Sequence, residues 1–275
     1  MLCRVLGVAR SGSDAWRRRG PSARQQTDQP LSAQIAAAPR ARRGPSGAPR
    51  IHAALRQRAV RCGCKRVARV MRAAGLSGGR RSARRPRTTI ADPTRIPAPN
   101  VLGRDFRVTT LDRVWVGDIT YVSTGEGWLY VAVLLDACSR RVVGWAMADH
   151  LRTDLAQAAL VMALRRRPDR GLIHHTDRGA HSTAATYHAL LTAHGLTPSM
   201  SRAGDCYANA LAERFFATLT AELIATRSWP TRQLARQAIF AWIDVFSNRQ
   251  RLHSALGYLA PLAFDDRRVP MLHVA

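Results

Sequence analysis

Three acidic residues, Asp118, Asp177 and Glu213, have the type and placement that phosphodiester chemistry requires. In-line attack at phosphorus needs a strong nucleophile and a stabilised leaving oxygen, and two divalent cations roughly 3.5–4 Å apart supply both. Mg²⁺ and Mn²⁺ prefer oxygen ligands, so a site of this kind is built largely from carboxylates. These residues are therefore candidate catalytic residues and candidate ligands of two Mg²⁺ or Mn²⁺ ions.

Each of the three carboxylates also has an ordinary structural interpretation. Asp118 lies in an apolar stretch, where a carboxylate is costly unless it is paired, so it could instead meet a buried arginine. Asp177 precedes Arg178 and Gly179 and could be a turn residue or a helix N-cap. Glu213 could face solvent, as most helical glutamates do. Taken singly, these residues leave both interpretations open.

The pattern of apolar residues places the three carboxylates on different elements of one domain. Strands are predicted at 114–122, 128–137, 141–147, 171–175 and 198–201, and helices at 155–164, 183–194 and 207–227. This β-β-β-α-β-α-β-α order is typical of the RNase H-like α/β fold, in which a mixed five-stranded sheet is flanked by helices. Asp118 then lies within the first strand, Asp177 follows the fourth, and Glu213 lies on the last helix.

Aromatic and histidine residues beside these carboxylates are predicted to serve the structure. Trp115 and Trp128 are expected in the core. His174 and His175 are expected to belong to the end of the fourth strand and not to a metal site.

Charge is distributed unevenly along the chain. The 275 residues contain 43 Lys and Arg against 18 Asp and Glu, a net charge of +25. Residues 1–110 contain 25 basic and 4 acidic side chains, and so account for +21 of that charge. The first part is therefore predicted to bind a polyanion, and the nearly neutral remainder to form a folded domain.

Two short helices are predicted within the basic part. The first begins at Pro49, and the second runs from Cys64 to a stop at Gly75. Basic residues occupy one face of the second helix: Lys65, Arg66, Arg69 and Arg72. This pattern predicts a helix-turn-helix at about 47–76 whose second helix contacts DNA through those four residues. A solvated pair of basic helices is the alternative.

These patterns divide the chain into three segments. We expect a basic helical DNA-binding region at 1–76, a linker rich in Pro and Arg at 77–110 and a catalytic core at 111–268. The five cysteines include no C-x-x-C pair, which argues against a zinc site or a disulfide framework and agrees with a reducing compartment. No apolar run is long enough to span a bilayer, so no membrane association is expected.

Six short segments resemble the integrase-core transposases of bacterial insertion sequences (OrfB type), whose core domain is shared with retroviral integrases. The segments are WVGDITY at 115–121, HTDRG at 175–179, SMSRAGD at 199–205, YANA at 207–210, ERFF at 213–216 and NRQRLHSALGY at 248–258. The 35 residues between Asp177 and Glu213 equal the spacing that defines this family's D,D-35-E signature.

The resemblance implies a role for each matching residue. Asp118, Asp177 and Glu213 would form the metal-binding catalytic triad. Asn209, one turn before Glu213, would touch the site or the DNA there. Three residues of the last segment would shape the site or hold DNA, with helix capping and surface solvation as the alternative: Asn248, Arg251 and His253.

The resemblance also implies an activity and partners. The chain would cleave DNA strands and transfer them at the terminal inverted repeats of an insertion sequence and at target DNA. It would act as a homo-oligomer on double-stranded DNA in the bacterial cytoplasm, associated with the nucleoid. Some members of the family act as a frameshift fusion to an upstream DNA-binding product, which makes such a product a further expected partner.

Two departures from the family pattern keep other functions open. Ala208 stands where an aspartate is usual, and Thr220 stands where a lysine or arginine is usual. A cation at position 220 would lie on the same helix face as Glu213 and could meet a DNA phosphate. The alternatives are a catalytically decayed copy that only binds DNA, and an RNase H-like nuclease.

Overall fold

The computed structural model describes residues 2–41, 46–78, 98–102, 108–166, 171–177, 183–201 and 209–268. Most of the predicted linker at 77–110 lies outside the described residues, as does Ala208. The chain divides into two compact units: Met1–Ala41 with Pro45–Gly78, here called the N-terminal unit, and Arg42–Gly44 with Gly79–Ala275, here called the C-terminal unit. Within the described ranges, no helix is both long and apolar enough to cross a bilayer.

The described part of the N-terminal unit is helical. Its helices are α1 (Leu2–Val5), α2 (Arg10–Arg18), α3 (Ala23–Ala41), α4 (Ala48–Gln57) and α5 (Cys64–Ala73). The two helices predicted from the sequence are confirmed as α4 and α5, and Gly75 follows α5 in the left-handed conformation at φ +66°. Helix α3 was not predicted from the sequence. It completes the core of this unit by packing Leu31 and Ile35 against α4 and α5.

The C-terminal unit is built around a mixed five-stranded sheet. Its strands are β1 (Val114–Thr124), β2 (Gly127–Asp136), β3 (Val142–Ala148), β4 (Ile173–Thr176) and β5 (Thr197–Met200). Its helices are α6 (Thr153–Arg166), α7 (Ala185–Ala193), α8 (Ala210–Glu222), α9 (Arg232–Phe240) and α10 (Pro261–Arg268). The strand order is β3-β2-β1-β4-β5, with β1 antiparallel to β2 and parallel to β4, which confirms the predicted fold class.

Helices cover both faces of the sheet, and the alternation of side chains along β1 separates the two cores. Val114, Val116 and Val122 contribute to the core formed with α8 and α9. Trp115 contributes to the opposite core, which is formed with α6 and α7. Because side chains of a strand alternate between faces, even-numbered residues of β1 face α8 and odd-numbered residues face α7.

Several elements differ from the sequence prediction. The helix expected at 207–227 is shorter, since α8 spans Ala210–Glu222 and a separate 3₁₀ turn follows at Ile224–Thr226. The prediction that Trp128 lies in the core is wrong. It begins β2 beside a turn, is 49% exposed, and meets the edge of Tyr121 with ring centroids 4.9 Å apart.

The C-terminal segment contains elements for which the sequence analysis predicted no secondary structure. After α9 the chain continues as a π-helix at Ala241–Ser247 and later forms α10. The wider turn of the π-helix directs Trp242, Ile243 and Phe246 into the core beneath α8. Side chains from the end of the chain thereby complete the face of the sheet on which α8 lies.

Helix α6 lies unusually close to β3 at Gly144. A Cβ atom at this position would overlap the carbonyl oxygen of Ala159 and would lie 2.8 Å from Cβ of Ala163. Both neighbours belong to a packed helix and have no space into which to retreat. The absence of a side chain at Gly144 therefore sets the distance between α6 and the sheet.

We expect Gly144→Ala to lower the free energy of unfolding by about 1–3 kcal/mol or more, as overpacking does. Urea denaturation followed by tryptophan fluorescence measures the change. Ser123→Thr is the matched control, because it also adds one methyl group but at an exposed position of β1. Equal stability of the Gly144→Ala and Ser123→Thr proteins would contradict the close approach.

A histidine and a tyrosine form a polar contact within the α7-side core. The hydroxyl of Tyr187 lies 2.8 Å from Nε2 of His174, and both side chains are buried. Burial, together with the neighbouring His175 and His188, lowers the pKa of His174 to about 3. Burial also raises the pKa of Tyr187. The folded unit therefore keeps both groups neutral, and His174 has the structural role predicted from the sequence.

This contact makes stability depend on pH. His174 titrates near pH 6.5 when unfolded but near 3 when folded, so below pH 6.5 the unfolded chain takes up a proton that the folded chain does not. The contribution of His174 to the free energy of unfolding is therefore fully present above pH 6.5. It falls by up to about 1.4 kcal/mol per pH unit as the pH drops towards 3. We expect His174→Gln to flatten this dependence in urea denaturation between pH 7 and 4, whereas the exposed His194→Gln leaves it intact.

Candidate active site

Parallel pairing of β1 with β4 leads towards two of the predicted carboxylates. Each paired residue of β1 lies opposite the residue 59 positions later in β4, as with Val114 and Ile173 or Val116 and His175. The pairing ends at His175, two residues before Asp177, which directly follows β4. Continued by two residues, the same offset would set Asp118 opposite Asp177, at about the 4.8 Å spacing of adjacent strands.

Both aspartates face the side of the sheet that α8 covers. Asp118 continues the alternation of Val114 and Val116, which pack on that side, and Asp177 continues that of Ile173. Both carboxylates are half-buried, and Oδ1 of Asp118 accepts a hydrogen bond of 2.8 Å from the backbone amide of Ile119. The backbone amide of Ile119 thus satisfies part of the hydrogen-bonding capacity of Asp118, whose side chain remains partly exposed to solvent.

The residue before Asp118 is a glycine for a steric reason. A Cβ atom at Gly117 would lie 2.9 Å from Cε1 of His174 and 3.3 Å from Cγ2 of Thr176, on the α7 side of the sheet. Close approach of β4 to β1 therefore depends on the missing side chain at 117. This explains the glycine within the segment WVGDITY and links it to the placement of Asp118.

Helix α8 brings the third carboxylate to the same face. Nδ2 of Asn209 donates a hydrogen bond of 3.3 Å to the carbonyl oxygen of Gly117, which ties the start of α8 to β1 beside Asp118. Glu213 lies one turn further, in the first turn of α8, and is exposed. Asn209 itself is buried, and its Oδ1 has no hydrogen-bond partner among the described residues.

The arrangement places the triad on one face but does not close it around a common point. Among the described residues, no three His, Cys, Asp or Glu side chains lie close enough together to hold a metal ion. The donor set itself, three carboxylates beside the unsatisfied amide oxygen of Asn209, is of the hard oxygen type that suits Mg²⁺ or Mn²⁺.

A buried histidine supports the strand end that carries Asp177. Nδ1 of His175 lies 2.9 Å from Oγ of Ser199, and its Nε2 lies 3.3 Å from Oγ of Ser201. The Ser199 hydroxyl also accepts a hydrogen bond from the amide of Val101, so it joins residues 98–102 to β5. His175 thus acts within the structure, as the sequence suggested, and helps to hold β4 against β5.

Two residues of the C-terminal segment, Asn248 and Arg251, make buried intramolecular contacts. Oδ1 of Asn248 accepts from the amide of Val142 at 2.9 Å, and its Nδ2 donates to the Val142 carbonyl at 3.0 Å. Arg251 is buried and paired with Glu222, while His253 is half-buried with Nε2 3.4 Å from the guanidinium of Arg251. A buried side chain with its hydrogen bonds satisfied is poorly placed to meet a phosphate, which favours the site-shaping interpretation.

Three buried acidic residues among the described residues, Asp136, Glu222 and Asp265, were not singled out from the sequence. Asp136 is fully buried, and its carboxylate accepts hydrogen bonds from Ser139 and from the amide of Asp112. Burial raises the pKa of Asp136, and these hydrogen bonds oppose the rise. Glu222, nine residues after Glu213, pairs with Arg251. Nothing in the local sequence distinguishes these carboxylates from exposed ones, because their partners are distant or in a turn.

The basic helix α5 divides into two pairs of side chains. Arg66 and Arg69 bind the two oxygens of Asp28 on α3 at 2.8 and 2.6 Å, and these hydrogen bonds lower the pKa of Asp28. Lys65 and Arg72 are exposed. The four residues that the sequence grouped together therefore have two environments, and Arg66 and Arg69 help to join α3 to α5.

Comparison with known proteins identifies the same two parts of the chain. Residues 110–206 and 194–261 match models described as integrase core domains, and residues 26–85 match an HTH-like domain. The intasome structure of simian T-cell lymphotropic virus with the PP2A regulatory subunit B56 gamma contains a similar chain, at 14% identity and a TM-score of 0.49. That alignment covers 82% of this chain and 72% of the other.

Relatives are similar over nearly their whole length. A 31 kDa protein of insertion element IS600 from Shigella sonnei is 39% identical over 268 residues, which cover 97% of this chain and 98% of that protein. Transposase InsF of insertion sequence IS3A from Escherichia coli K12 is 40% identical over 271 residues, which cover 98% and 94% of the two chains. Together with the integrase core and the HTH-like domain, these matches show that the chain belongs to the IS3 family of insertion-sequence transposases.

Proposed function

We propose that this transposase cuts and rejoins DNA at the ends of its insertion sequence through Asp118, Asp177 and Glu213, which bind two Mg²⁺ or Mn²⁺ ions. The observation that carries the proposal is the register of β1 with β4, because the same offset, continued two residues past Val116 and His175, would set Asp118 opposite Asp177 on the face covered by α8. The proposed substrates are double-stranded terminal inverted repeats and target DNA. A homo-oligomer on DNA, and an upstream frameshift-fused product, are proposed partners.

The three carboxylates differ in how firmly they are held. Asp118 lies within the sheet and Asp177 at the end of a paired strand, so the backbone fixes both positions. Glu213 is exposed on the first turn of a helix, which reaches the site from outside the sheet. We therefore assign Asp118 and Asp177 as the ligands that the sheet provides and Glu213 as the ligand that α8 provides.

The chemistry needs two displacements at phosphorus. Attack by water frees a 3′-hydroxyl at the end of the element, and that hydroxyl then attacks a phosphodiester of the target. When bound, the two cations would lower the pKa of the attacking oxygen and stabilise the charge on the leaving oxygen. Because both steps follow the same course, the same three residues serve both. Asn209 would hold the start of α8 beside Asp118 through its hydrogen bond to the carbonyl of Gly117.

The uncharged residue Thr220 favours a second candidate function, that of a catalytically decayed copy that only binds DNA. It is half-buried on α8, two turns beyond Glu213, and brings no charge to a neighbouring phosphate. Absence of a charge-assisted contact costs about 1.5–3 kcal/mol, which slows a reaction and does not abolish it. We therefore favour an active enzyme of reduced rate. Cleavage without joining would instead identify an RNase H-like nuclease.

DNA binding is assigned mainly to the N-terminal unit, and within α5 to Lys65 and Arg72. Both side chains are exposed on the second helix of the HTH-like domain, where phosphates can reach them. Arg66 and Arg69 already neutralise Asp28. Their proposed role is to hold α5 against α3, so that the exposed pair is presented in a fixed orientation.

The first test replaces each carboxylate by its amide, as Asp118→Asn, Asp177→Asn or Glu213→Gln. We expect strand transfer to require Mg²⁺ or Mn²⁺ and to fall by more than about 100-fold in each variant, because removal of a ligand is more damaging than removal of a group that only supports a ligand. Folding should persist, since each change removes a repelling charge. A strand-transfer time course on duplex ends, with a thermal melt of each variant, measures both effects.

Asp149→Asn is the control for this experiment, because Asp149 is an exposed carboxylate directly after β3 and should be dispensable. Full strand transfer by any one of the three amide variants would refute the assignment of the triad. A folded wild-type chain that binds DNA but neither cleaves nor joins it would favour the decayed copy.

The second test separates the two pairs of basic residues on α5. We expect Lys65→Gln/Arg72→Gln to reduce the slope of log affinity against log salt by about 0.9 for each phosphate that the variant no longer neutralises. Asp28→Asn/Arg66→Gln removes one charge of each sign and should leave the slope nearly unchanged while destabilising the N-terminal unit. Fluorescence anisotropy with a labelled duplex, at several salt concentrations, measures the slopes. Equal slopes for the two double variants would contradict the assignment.

A further inference from the structure

Helix α8 carries a second acidic residue, Glu222, whose environment contrasts with that of Glu213. Glu222 is 8% exposed, whereas Glu213 is exposed to solvent. Nine residues separate them, which corresponds to about 13.5 Å along the helix and to opposite sides of it. Glu222 is therefore too far from Asp118 to be a fourth ligand of the proposed metal site, and its buried charge must serve another purpose.

The partner of Glu222 comes from the segment that follows the π-helix. Nε and Nη2 of Arg251 donate hydrogen bonds of 2.9–3.2 Å to both carboxylate oxygens of Glu222. The backbone amide of Arg251 is itself fixed by the carbonyl of Phe246 at 2.8 Å. A two-pronged guanidinium–carboxylate pair has one favourable geometry, so it constrains both partners in direction as well as in distance.

Apolar contacts along the inner side of α8 hold the helix against the sheet. Ala212, Phe216 and Leu219 form that side and pack into the core. Their attraction is non-directional, so hydrogen bonds add a constraint on direction that this packing does not provide. Such directional contacts lie at the two ends, where Asn209 bonds to the carbonyl of Gly117 and Glu222 bonds to Arg251.

We propose that Glu222 and Arg251 are positioning residues, which set the axial and rotational position of α8 and so present Glu213 to Asp118 and Asp177. This inference rests on the proposed function, since it assigns a purpose to the placement of Glu213. The pair acts through the helix and touches neither substrate nor metal. The C-terminal segment, far from the carboxylates in sequence, thereby controls the geometry of the site.

The deciding variant is Glu222→Leu/Arg251→Met, which replaces the pair by apolar residues of similar volume. Such replacements of buried ion pairs are often neutral or stabilising, so the thermal midpoint should stay at or above that of wild type. Affinity for Mn²⁺ should nevertheless fall by about 10- to 100-fold, because the C-terminal end of the helix then has no directional bond and only the contact of Asn209 at its other end remains. The electron paramagnetic resonance signal of free Mn²⁺, recorded with the full chain bound to duplex DNA, measures this affinity without requiring turnover.

Two further variants keep the inference testable if the apolar pair does not fold. Arg251→Lys keeps the charge but not the two-pronged geometry, and should weaken Mn²⁺ binding by several-fold in a folded protein. Arg236→Met removes an exposed arginine from α9 and should leave Mn²⁺ affinity unchanged. Wild-type Mn²⁺ affinity in either folded pair variant would overturn the positioning role and leave the pair with a purely structural one.

The same measurement separates failure of this inference from failure of the proposed function. Asp118→Asn should abolish the tight Mn²⁺ binding of the wild-type chain. If the wild-type chain shows no Mn²⁺ binding that depends on Asp118, the proposed metal site is wrong, and the positioning role falls with it. If such binding exists and the pair variants match it, only the positioning role is wrong.

Discussion

The register of β1 against β4 is the constraint on which the rest of the site depends. Side chains of a strand alternate between faces, so a slip of one residue would turn Asp177 away from Asp118 and towards the core under α7. Parallel strands cannot be joined by a tight turn, and here β2, β3 and α6 intervene before the chain returns to pair with β1. The strands and helix between β1 and β4 therefore separate them in sequence, while the sheet places them side by side in one register.

Two glycines allow the layers to approach closely enough to hold that register. Gly144 admits the backbone of α6 against β3, and Gly117 admits the ring of His174 beside β1. At each site a single methyl group would force apart elements that are otherwise packed without space. The buried contact of His174 with Tyr187 then fixes β4 from the side opposite the carboxylates, although it makes the unit less stable in acid.

Buried charges connect distant parts of the C-terminal unit. Arg141, in the turn after β2, binds Asp265 of α10, and Arg251 binds Glu222 of α8. A buried ion pair contributes little net stability compared with apolar packing, but its geometry is specific. These two pairs therefore fix the last segment of the unit against the turn after β2 and against α8. In the N-terminal unit, Asp28 has a comparable role, since it orients two arginines of a strongly basic region.

The sequence alone was sufficient for the features that depend on local pattern. Alternating apolar residues predicted the five strands, helical periodicity predicted α4 through α8, and the resemblance of the short segments around Asp118, Asp177 and Glu213 to a known family implied the candidate triad. These signals are local because secondary structure follows the period of the side chains that it buries. The prediction for Trp128 is wrong because the local sequence does not show whether a tryptophan beside a turn is buried or lies on the surface.

Only the tertiary structure shows which residues that are far apart in sequence contact one another. The spacing of basic residues along α5 does not show that Arg66 and Arg69 bind Asp28. The position of Glu222 on a helix does not show that it pairs with Arg251. Whether a polar side chain meets solvent, DNA or another side chain depends on which surfaces are packed against it. The fold as a whole determines that packing, so it cannot be predicted from the residues that surround one position in the sequence.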